Sequence, residues 1–98
     1  MRKPIIFDPL AEDEVTTAYL WYSSRSVKAG PRFLQALDLA VEQIGDRPES
    51  FPAYIAGTRK CILHKFPYLV VYRVDAEIVY VVAVAHGHQN PGYWRKRI

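Results

Sequence analysis

The chain has 98 residues, half of them apolar and 23% charged, which predicts one small folded domain over residues 1–98 and excludes wholesale disorder. No apolar run reaches the roughly 18 residues of a membrane-spanning helix, and the single cysteine excludes an internal disulfide framework. Residues 1–50 sum to a charge of −2 and residues 51–98 to +5. We expect a cytoplasmic protein without a membrane partner. Its basic half suits a nucleic acid or an acidic protein, or it is simply a solvated surface.

The first half of the chain predicts a strand followed by two helices. The apolar run Pro4–Phe7 ends at Asp8-Pro9, where the carboxylate can cap free amides and the proline needs no donor. Apolar residues then recur at helical spacing in two stretches that a polar segment separates. These stretches predict helices over Pro9–Ser24 and Pro31–Ile44, which can pack as an antiparallel hairpin.

The second half predicts three strands, over Arg59–Lys65, Tyr68–Val74 and Glu77–Ala85. The connections between them are short, which favours antiparallel hairpins. The order is therefore strand, helix, helix and three antiparallel strands. This order predicts an α+β fold in which the helical hairpin packs on one face of a small sheet.

The last predicted strand is apolar on both faces. Its alternating residues are Ile78, Tyr80, Val82 and Val84 on one face and Val79, Val81, Ala83 and Ala85 on the other. A sheet with one solvated face alternates apolar with polar residues, so the second face needs a cover. The Phe51 loop and the C-terminal tail are one candidate cover, and a partner protein is the other. We expect the partner, because a chain this short has few covers of its own.

The C-terminal tail holds the richest cluster of reactive side chains, and three interpretations compete for it. The first is an RNA-cleaving site with proton-transferring residues and phosphate-binding cations; its residues are His86, His88, Tyr93, Lys65, Arg73 and Arg95. The second is a metal pair, His86 and His88 with His64, which lacks an evident carboxylate or cysteine ligand. In the third, the histidines merely end a strand, Trp94 packs on the core and residues 95–97 are a solvated tail.

Arg73 allows two interpretations of its own. It is a lone charge in the middle of a strand, and such a charge is costly if it is buried without a partner. It can pair with Asp75, Glu77 or a helix carboxylate, or it can meet an anionic partner. No glycine-rich phosphate loop is present, and we expect neither a cofactor nor a metal.

Several segments carry a resemblance to a known family, namely Arg32–Leu34, Pro48–Pro52, Arg59–Val74, Val82–His88 and Pro91–Trp94. In these segments the chain resembles the RelE/ParE superfamily of bacterial toxins, and its ParE-type, plasmid-stabilisation branch in particular. The resemblance implies a small α+β toxin of a type II toxin–antitoxin module. It also implies a cognate antitoxin that wraps and silences the toxin, which fits the apolar second face.

The resemblance implies one of two activities. RelE-like members cut messenger RNA in the ribosome with basic side chains and a C-terminal tyrosine, whose position Tyr93 matches. ParE-like members are associated with DNA gyrase poisoning and are not enzymes in themselves. Leu69 and Gly87 stand where the ribonuclease branch has arginines, so the main electrostatic stabilisation of that reaction is missing. We expect the ParE-like activity, with the ribosome-dependent endoribonuclease and a non-toxic interaction module as alternatives.

These interpretations give two sets of candidate site residues. The candidates for catalysis are His86, His88, Tyr93 and Arg73. The candidates for partner binding are Arg59, Lys60, Lys65, Tyr93, Trp94 and Arg95.

Overall fold

The computed structural model describes residues 2–98, in which two helices pack on a four-stranded sheet. The elements are β1 (Ile5–Phe7), α1 (Pro9–Arg25), α2 (Ala29–Asp46), β2 (Arg59–Ile62), β3 (Tyr68–Val74) and β4 (Val79–His86). The strand order is β1-β4-β3-β2, with β1 parallel to β4 and the other two pairs antiparallel. The predicted α+β fold, with its helical hairpin on the sheet, is confirmed.

The bounds of two strands differ from the prediction because the turns are longer than the sequence indicates. β2 ends at Ile62 rather than Lys65, since the chain turns at Lys65, whose φ of 67° lies in the left-handed region. β4 begins at Val79 rather than Glu77. There the backbone N–H of Asp75 donates to the Ile78 carbonyl at 2.9 Å and closes a turn.

The entry into α1 is fixed as the sequence predicts. The Asp8 carboxylate accepts the Leu10 N–H at 2.9 Å, and Pro9 occupies the first turn. The other carboxylate oxygen of Asp8 accepts the hydroxyl of Tyr80 at 2.7 Å. The cap therefore also ties the start of α1 to the central strand β4.

The helices cross closely at Gly30. A Cβ atom at this position would lie 2.0 Å from Ser23 Oγ and 3.0 Å from the ring of Tyr19. The hairpin buries the predicted stripes of both helices against the sheet; their fully buried members are Ala11, Ala18, Phe33, Leu37, Ala40 and Ile44. Within residues 2–98, neither helix is both long enough and apolar enough to cross a membrane.

A β-bulge at Val82 changes which residues of β4 share a face. Tyr72 pairs with Val81 whereas Val71 pairs with Ala83, so Val82 is an extra residue in β4. Beyond the bulge the alternation reverses, and Val84 joins Val79 and Val81 on the helix side. Tyr80, Val82 and Ala83 pack on the opposite side. The expected strict alternation is therefore wrong for Ala83, Val84 and Ala85, the last of which pairs with Leu69 on the opposite side.

The second face of the sheet is covered by the chain itself. Trp94 is only 1% exposed and packs with Val71, Val82 and Ala83, and the segment at Tyr54 and Ile55 packs beside it. The expectation that a partner protein covers this face is wrong. The C-terminal tail supplies the cover, because it folds back from the end of β4 and places its indole on the sheet.

Candidate functional site

The C-terminal tail is attached to α1 through one carboxylate, that of Glu14. The Tyr93 hydroxyl donates to Glu14 Oε2 at 2.5 Å. The Arg97 guanidinium donates to both carboxylate oxygens, at 3.0 and 3.1 Å. The Glu14 and Arg97 side chains are 19% and 14% exposed, so this ion pair is largely withdrawn from solvent. We call these three residues the tail clamp.

The tail clamp also closes the edge of β4 beyond the short strand β1, which pairs only with residues 79–81. Glu14 Oε1 accepts the backbone N–H of Val84 at 3.0 Å, and Arg97 donates to the Val82 carbonyl at 3.1 Å. Farther along, the Gln89 side chain accepts the His86 N–H at 2.8 Å. Side chains therefore take the place of a neighbouring strand along this edge.

Tyr93, a candidate for catalysis, is held in its protonated form. Burial and the hydrogen bond to the Glu14 carboxylate raise the pKa of its phenol far above the ordinary value. Because the hydroxyl donates its proton in the hydrogen bond to Glu14, this proton is not directed at a substrate. In this arrangement Tyr93 acts as a structural donor.

His86 and His88 lie together at the end of β4. Their rings stack with centroids 5.1 Å apart, and the His88 N–H donates to His86 Nδ1 at 3.0 Å. The ring of Tyr68 meets His86 edge-on at 5.0 Å. His86 lines an open groove of about 390 Å³ between α1 and β4. Across residues 2–98, the structure contains no group of three or more His, Cys, Asp or Glu side chains arranged to hold a metal ion.

Arg73 lies far from these histidines. It pairs with Asp75 at 3.1 Å, one of the pairings that the sequence offers, and its guanidinium carbon lies 4.3 Å from the ring centroid of Tyr80. Arg73 is opposite Tyr80 in the sheet, whereas His86 is opposite Tyr68. His86 lies six positions farther along β4 than Tyr80, which corresponds to about 20 Å. The structure therefore does not bring Arg73 together with the candidate proton donors.

The candidate partner-binding residues are spread over different parts of the molecule. Arg59 donates to the Phe51 carbonyl at 2.7 Å. Lys60 lies on the second face of the sheet, the one that the C-terminal tail covers, which we call the outer face. Its ammonium is 4.6 Å from the ring centroid of Tyr54. Arg95 is exposed in the tail. The Trp94 side chain is buried between the tail and the sheet, so in this structure it is a core residue rather than a surface contact.

Lys65 belongs to a further surface, at the edge of the sheet where α2 faces β2. We call this the α2–β2 surface; it comprises Arg32, Ala36, Leu39, Ile62, His64 and Lys65. It contains two adjoining depressions of about 580 and 660 Å³. Leu39 is 50% exposed on α2, and Ile62 is 69% exposed at the sheet edge, with its side chain on the face that also carries Lys60. Among the described residues that line the depressions, several are basic and none is a carboxylate.

The backbone at Ile62 is open to a further strand. β2 is the last strand of the sheet. The Lys60 N–H points away from β3 and donates to the Pro52 carbonyl at 3.1 Å, whereas the Leu63 N–H points inward to Tyr68. Because these directions alternate along a strand, the N–H and carbonyl of Ile62 face the free edge. The α2–β2 surface thus combines exposed apolar side chains, positive charge and open backbone groups.

Glu14, Leu39 and Ile62 are not among the site residues predicted from the sequence. A signal for Glu14 was present, because it lies three residues after Ala11 and four before Ala18, within the buried stripe of α1. A carboxylate at such a position needs a partner inside the fold. Leu39 and Ile62 gave no comparable signal, since their exposure depends on which strand lies at the edge.

Comparison with sequence models of protein families identifies the chain. Residues 5–91 match the family described as "ParE toxin of type II toxin-antitoxin system, parDE". The chain belongs to this ParE toxin family. It is a ParE-like toxin of a type II toxin–antitoxin module, as the sequence resemblance implied. The matched range ends before Tyr93, so two members of the tail clamp, Tyr93 and Arg97, lie outside it.

Individual relatives agree with the family match. The chain is 28% identical over 81 residues to Toxin ParE2 of Mycobacterium tuberculosis, in sequences from two strains. That alignment covers 82% of this chain and 77% of the relative. A chain from the structure of the chromosomal ParDE TA system from P. aeruginosa superposes with a TM-score of 0.64 at 16% identity. The superposition covers 87% of this chain and 96% of that chain, and it establishes the shared fold.

Proposed function

We propose that this ParE-like toxin binds an acidic antitoxin through the α2–β2 surface and that, when free of it, the toxin inhibits DNA gyrase without catalysing a reaction itself. The observation that carries the first part is the combination of exposed Leu39 and Ile62 with basic side chains. The ParE family assignment carries the second part.

The α2–β2 surface suits a segment that supplies a strand and carries negative charge. The open N–H and carbonyl of Ile62 can pair with an added strand, which is a common mode of peptide recognition. Burial of an exposed leucine or isoleucine side chain contributes up to about 1.5–3 kcal/mol. Arg32 and Lys65 would meet carboxylates of the antitoxin and speed its association.

The arrangement of the tail favours the gyrase activity over cleavage of messenger RNA. Arg73 is opposite Tyr80, which lies about 20 Å along β4 from His86. The Tyr93 hydroxyl donates its proton in a hydrogen bond to Glu14. Leu69 and Gly87 stand where the ribonuclease branch has arginines. A site that lacks such preorganised donors loses about a hundredfold to a thousandfold in rate for each donor.

Antitoxin binding is tested with the double variant Leu39→Glu/Ile62→Glu, titrated calorimetrically with the cognate antitoxin. We expect affinity to fall at least about a hundredfold, because two apolar contacts are replaced by charges. The matched control is Leu20→Glu on α1, where the leucine is also exposed. An equal loss in the control, or unchanged affinity in the double variant, contradicts the assignment of this surface.

The activity is tested by offering the purified toxin two targets. Gyrase with relaxed DNA should lose supercoiling activity, and messenger RNA on programmed ribosomes should stay intact. Codon-positioned cuts that disappear in a Tyr93→Phe or His88→Ala variant would contradict the proposal and favour the endoribonuclease. Inactivity in both assays, from a chain that still binds the antitoxin, would favour a non-toxic interaction module.

A further inference from the structure

The two layers of the molecule carry opposite charge. α1 and α2 each contain three carboxylates and one arginine. In contrast, β2, β3, β4 and the 3₁₀ turn Arg95–Arg97 contain six lysines and arginines and no Asp or Glu. The helical layer is therefore negative and the layer formed by the sheet and tail is positive. Such a separation orients a polyanion toward the outer face of the sheet.

Two cations on this outer face are positioned by aromatic rings. Lys60 lies over Tyr54, and Arg73 lies over Tyr80. Tyr54 in turn contacts Trp94, with ring centroids 6.0 Å apart. Cation–π contacts of this kind hold a charge in place without neutralising it.

Arg95 adds a third positive charge from the tail that covers this face. Its side chain lies across Gly92, where an added Cβ atom would be 3.1 Å from Arg95 Nε. Within residues 2–98, neither Lys60 nor Arg95 forms a salt bridge. Both charges are therefore available to an external anion.

Arg73 remains able to bind an external anion although it forms an ion pair with Asp75. The two side chains are 33% and 40% exposed, and ion pairs at such positions contribute at most about 1 kcal/mol. The Lys3 ammonium donates to the Asp75 backbone carbonyl at 2.6 Å and brings another positive charge to the same corner. The Lys3 ammonium thus offsets the charge of Asp75 at this corner, to which Glu77 of the same turn and Asp8 also bring negative charge.

We propose that the outer face of the sheet binds the sugar–phosphate backbone of a nucleic acid, through Lys60, Arg73 and Arg95. Lys60 is opposite Val71, and Arg73 lies two residues farther along the same face of β3, which separates their backbones by about 7–8 Å. This spacing lets the two cations contact separate phosphates along a backbone that carries one charge every 3.4 Å or so of axial rise on each strand. Tyr54 and Tyr80 are half-buried, and each ring lies beneath its own cation.

This binding does not depend on the nucleotide sequence and does not involve DNA gyrase. Contact with three phosphates predicts that the logarithm of the binding constant falls with the logarithm of salt concentration, with a slope of about −2 to −3. Affinity should be in the range of non-specific binding, with a dissociation constant of about 10⁻⁴ to 10⁻⁶ M. Because the measurement needs no gyrase, its failure is distinct from failure of the proposed toxic activity.

The test compares the full-length chain with the variant Lys60→Gln/Arg73→Gln/Arg95→Gln, by fluorescence anisotropy of labelled duplex DNA and labelled single-stranded RNA at several salt concentrations. The matched control removes three exposed charges from the other side of the molecule, in Arg25→Gln/Lys28→Gln/Arg47→Gln. We expect the first variant to lose affinity at least tenfold and most of its salt slope, and the control to stay within about threefold. Binding to either nucleic acid with this dependence supports the proposal and identifies the source of the backbone.

Two results would overturn the proposal. One is an equal effect of both variants, which would indicate attraction by net charge alone. The other is binding of poly-glutamate together with no binding of either nucleic acid, which would assign the face to an acidic protein. Thermal unfolding of both variants verifies that they are folded. For folded variants, the dependence of nucleic-acid affinity on salt concentration then decides between these outcomes and the proposal.

Discussion

Glu14 on α1 and Arg97 in the C-terminal tail form a bidentate ion pair. The two residues are 83 positions apart in the sequence and belong to segments that pack on opposite faces of the sheet. Glu14 belongs to the helix that packs on one face, and Arg97 belongs to the tail that covers the other. The pair lies beside β4 and bonds to its backbone at Val82 and Val84. The fold of the tail therefore depends on a residue near the beginning of the chain.

Replacing Glu14 with Gln should destabilise the protein by about 2–4 kcal/mol, because Arg97 is left largely buried without a counter-charge. The measurement is the free energy of unfolding in urea. The control is Asp46→Asn, which breaks the exposed pair with Arg2 and should cost less than about 1 kcal/mol. Similar losses in the two variants would contradict the structural role of the clamp.

Replacing Trp94 with Ala should cost about 3–5 kcal/mol, because it removes the side chain that covers Val71 and Val82. Trp21, which is 50% exposed on α1, serves as the control, and Trp21→Ala should cost about 1 kcal/mol or less. Urea unfolding checks both values. A Trp94→Ala protein as stable as the Trp21→Ala protein would show that the tail does not cover the sheet in solution.

The tight crossing of the helices predicts the effect of Gly30→Ala. The added methyl group would overlap Ser23 Oγ, so we expect a loss of about 1–3 kcal/mol despite the better helix propensity of alanine. The Ser23 hydroxyl is buried without a hydrogen-bond partner within residues 2–98. Ser23→Ala alone should therefore cost little.

The double variant Gly30→Ala/Ser23→Ala tests the mechanism of this loss. It should recover part of the stability lost in the single Gly30→Ala variant, because the overlapping oxygen is gone. Differential scanning calorimetry of the four proteins gives the coupling energy. Additive effects would show that the two positions do not contact each other.

Local patterns were sufficient to predict the helices and the order of the elements along the chain, but not the parallel pairing of β1 with β4. Asp8-Pro9 begins α1 because a cap acts through its own neighbours in sequence. The stripe through Phe33 and Ile44 likewise reports one buried helix face. β3 matches its predicted bounds, since apolar β-formers fill it from Tyr68 to Val74.

Features that depend on distant pairing could not be predicted in this way. The bulge at Val82 arises because the register of β4 against β3 shifts by one residue between Val71 and Tyr72. The sequence offered the tail as one of two candidate covers but could not decide between them, because no periodicity describes the path of the chain after His86. The separation of Arg73 from His86 follows from the antiparallel pairing of β3 and β4, so the candidate catalytic set, chosen by residue type, spans both ends of the sheet.

Tyr72 should make the folded protein less stable at alkaline pH. Its ring is fully buried, its hydroxyl donates to the Pro48 carbonyl at 2.6 Å, and burial raises the pKa of the phenol to about 12. The folded protein therefore binds this proton more tightly than the unfolded chain, where the pKa is 10.0. The contribution is complete below about pH 10 and is lost as the pH rises toward 12.

Tyr72→Phe should separate the two effects of this hydroxyl. Near pH 8 the variant should be less stable by about 1 kcal/mol, because the hydrogen bond to Pro48 is lost. Between about pH 10 and 12 it should lose less stability than the unaltered protein, since one phenol with a raised pKa is gone. Other tyrosines with raised pKa values, Tyr68 and Tyr93 among them, remain and keep part of the slope. Urea unfolding at several pH values measures both slopes, and parallel curves would contradict the burial of Tyr72 as the origin of alkaline sensitivity.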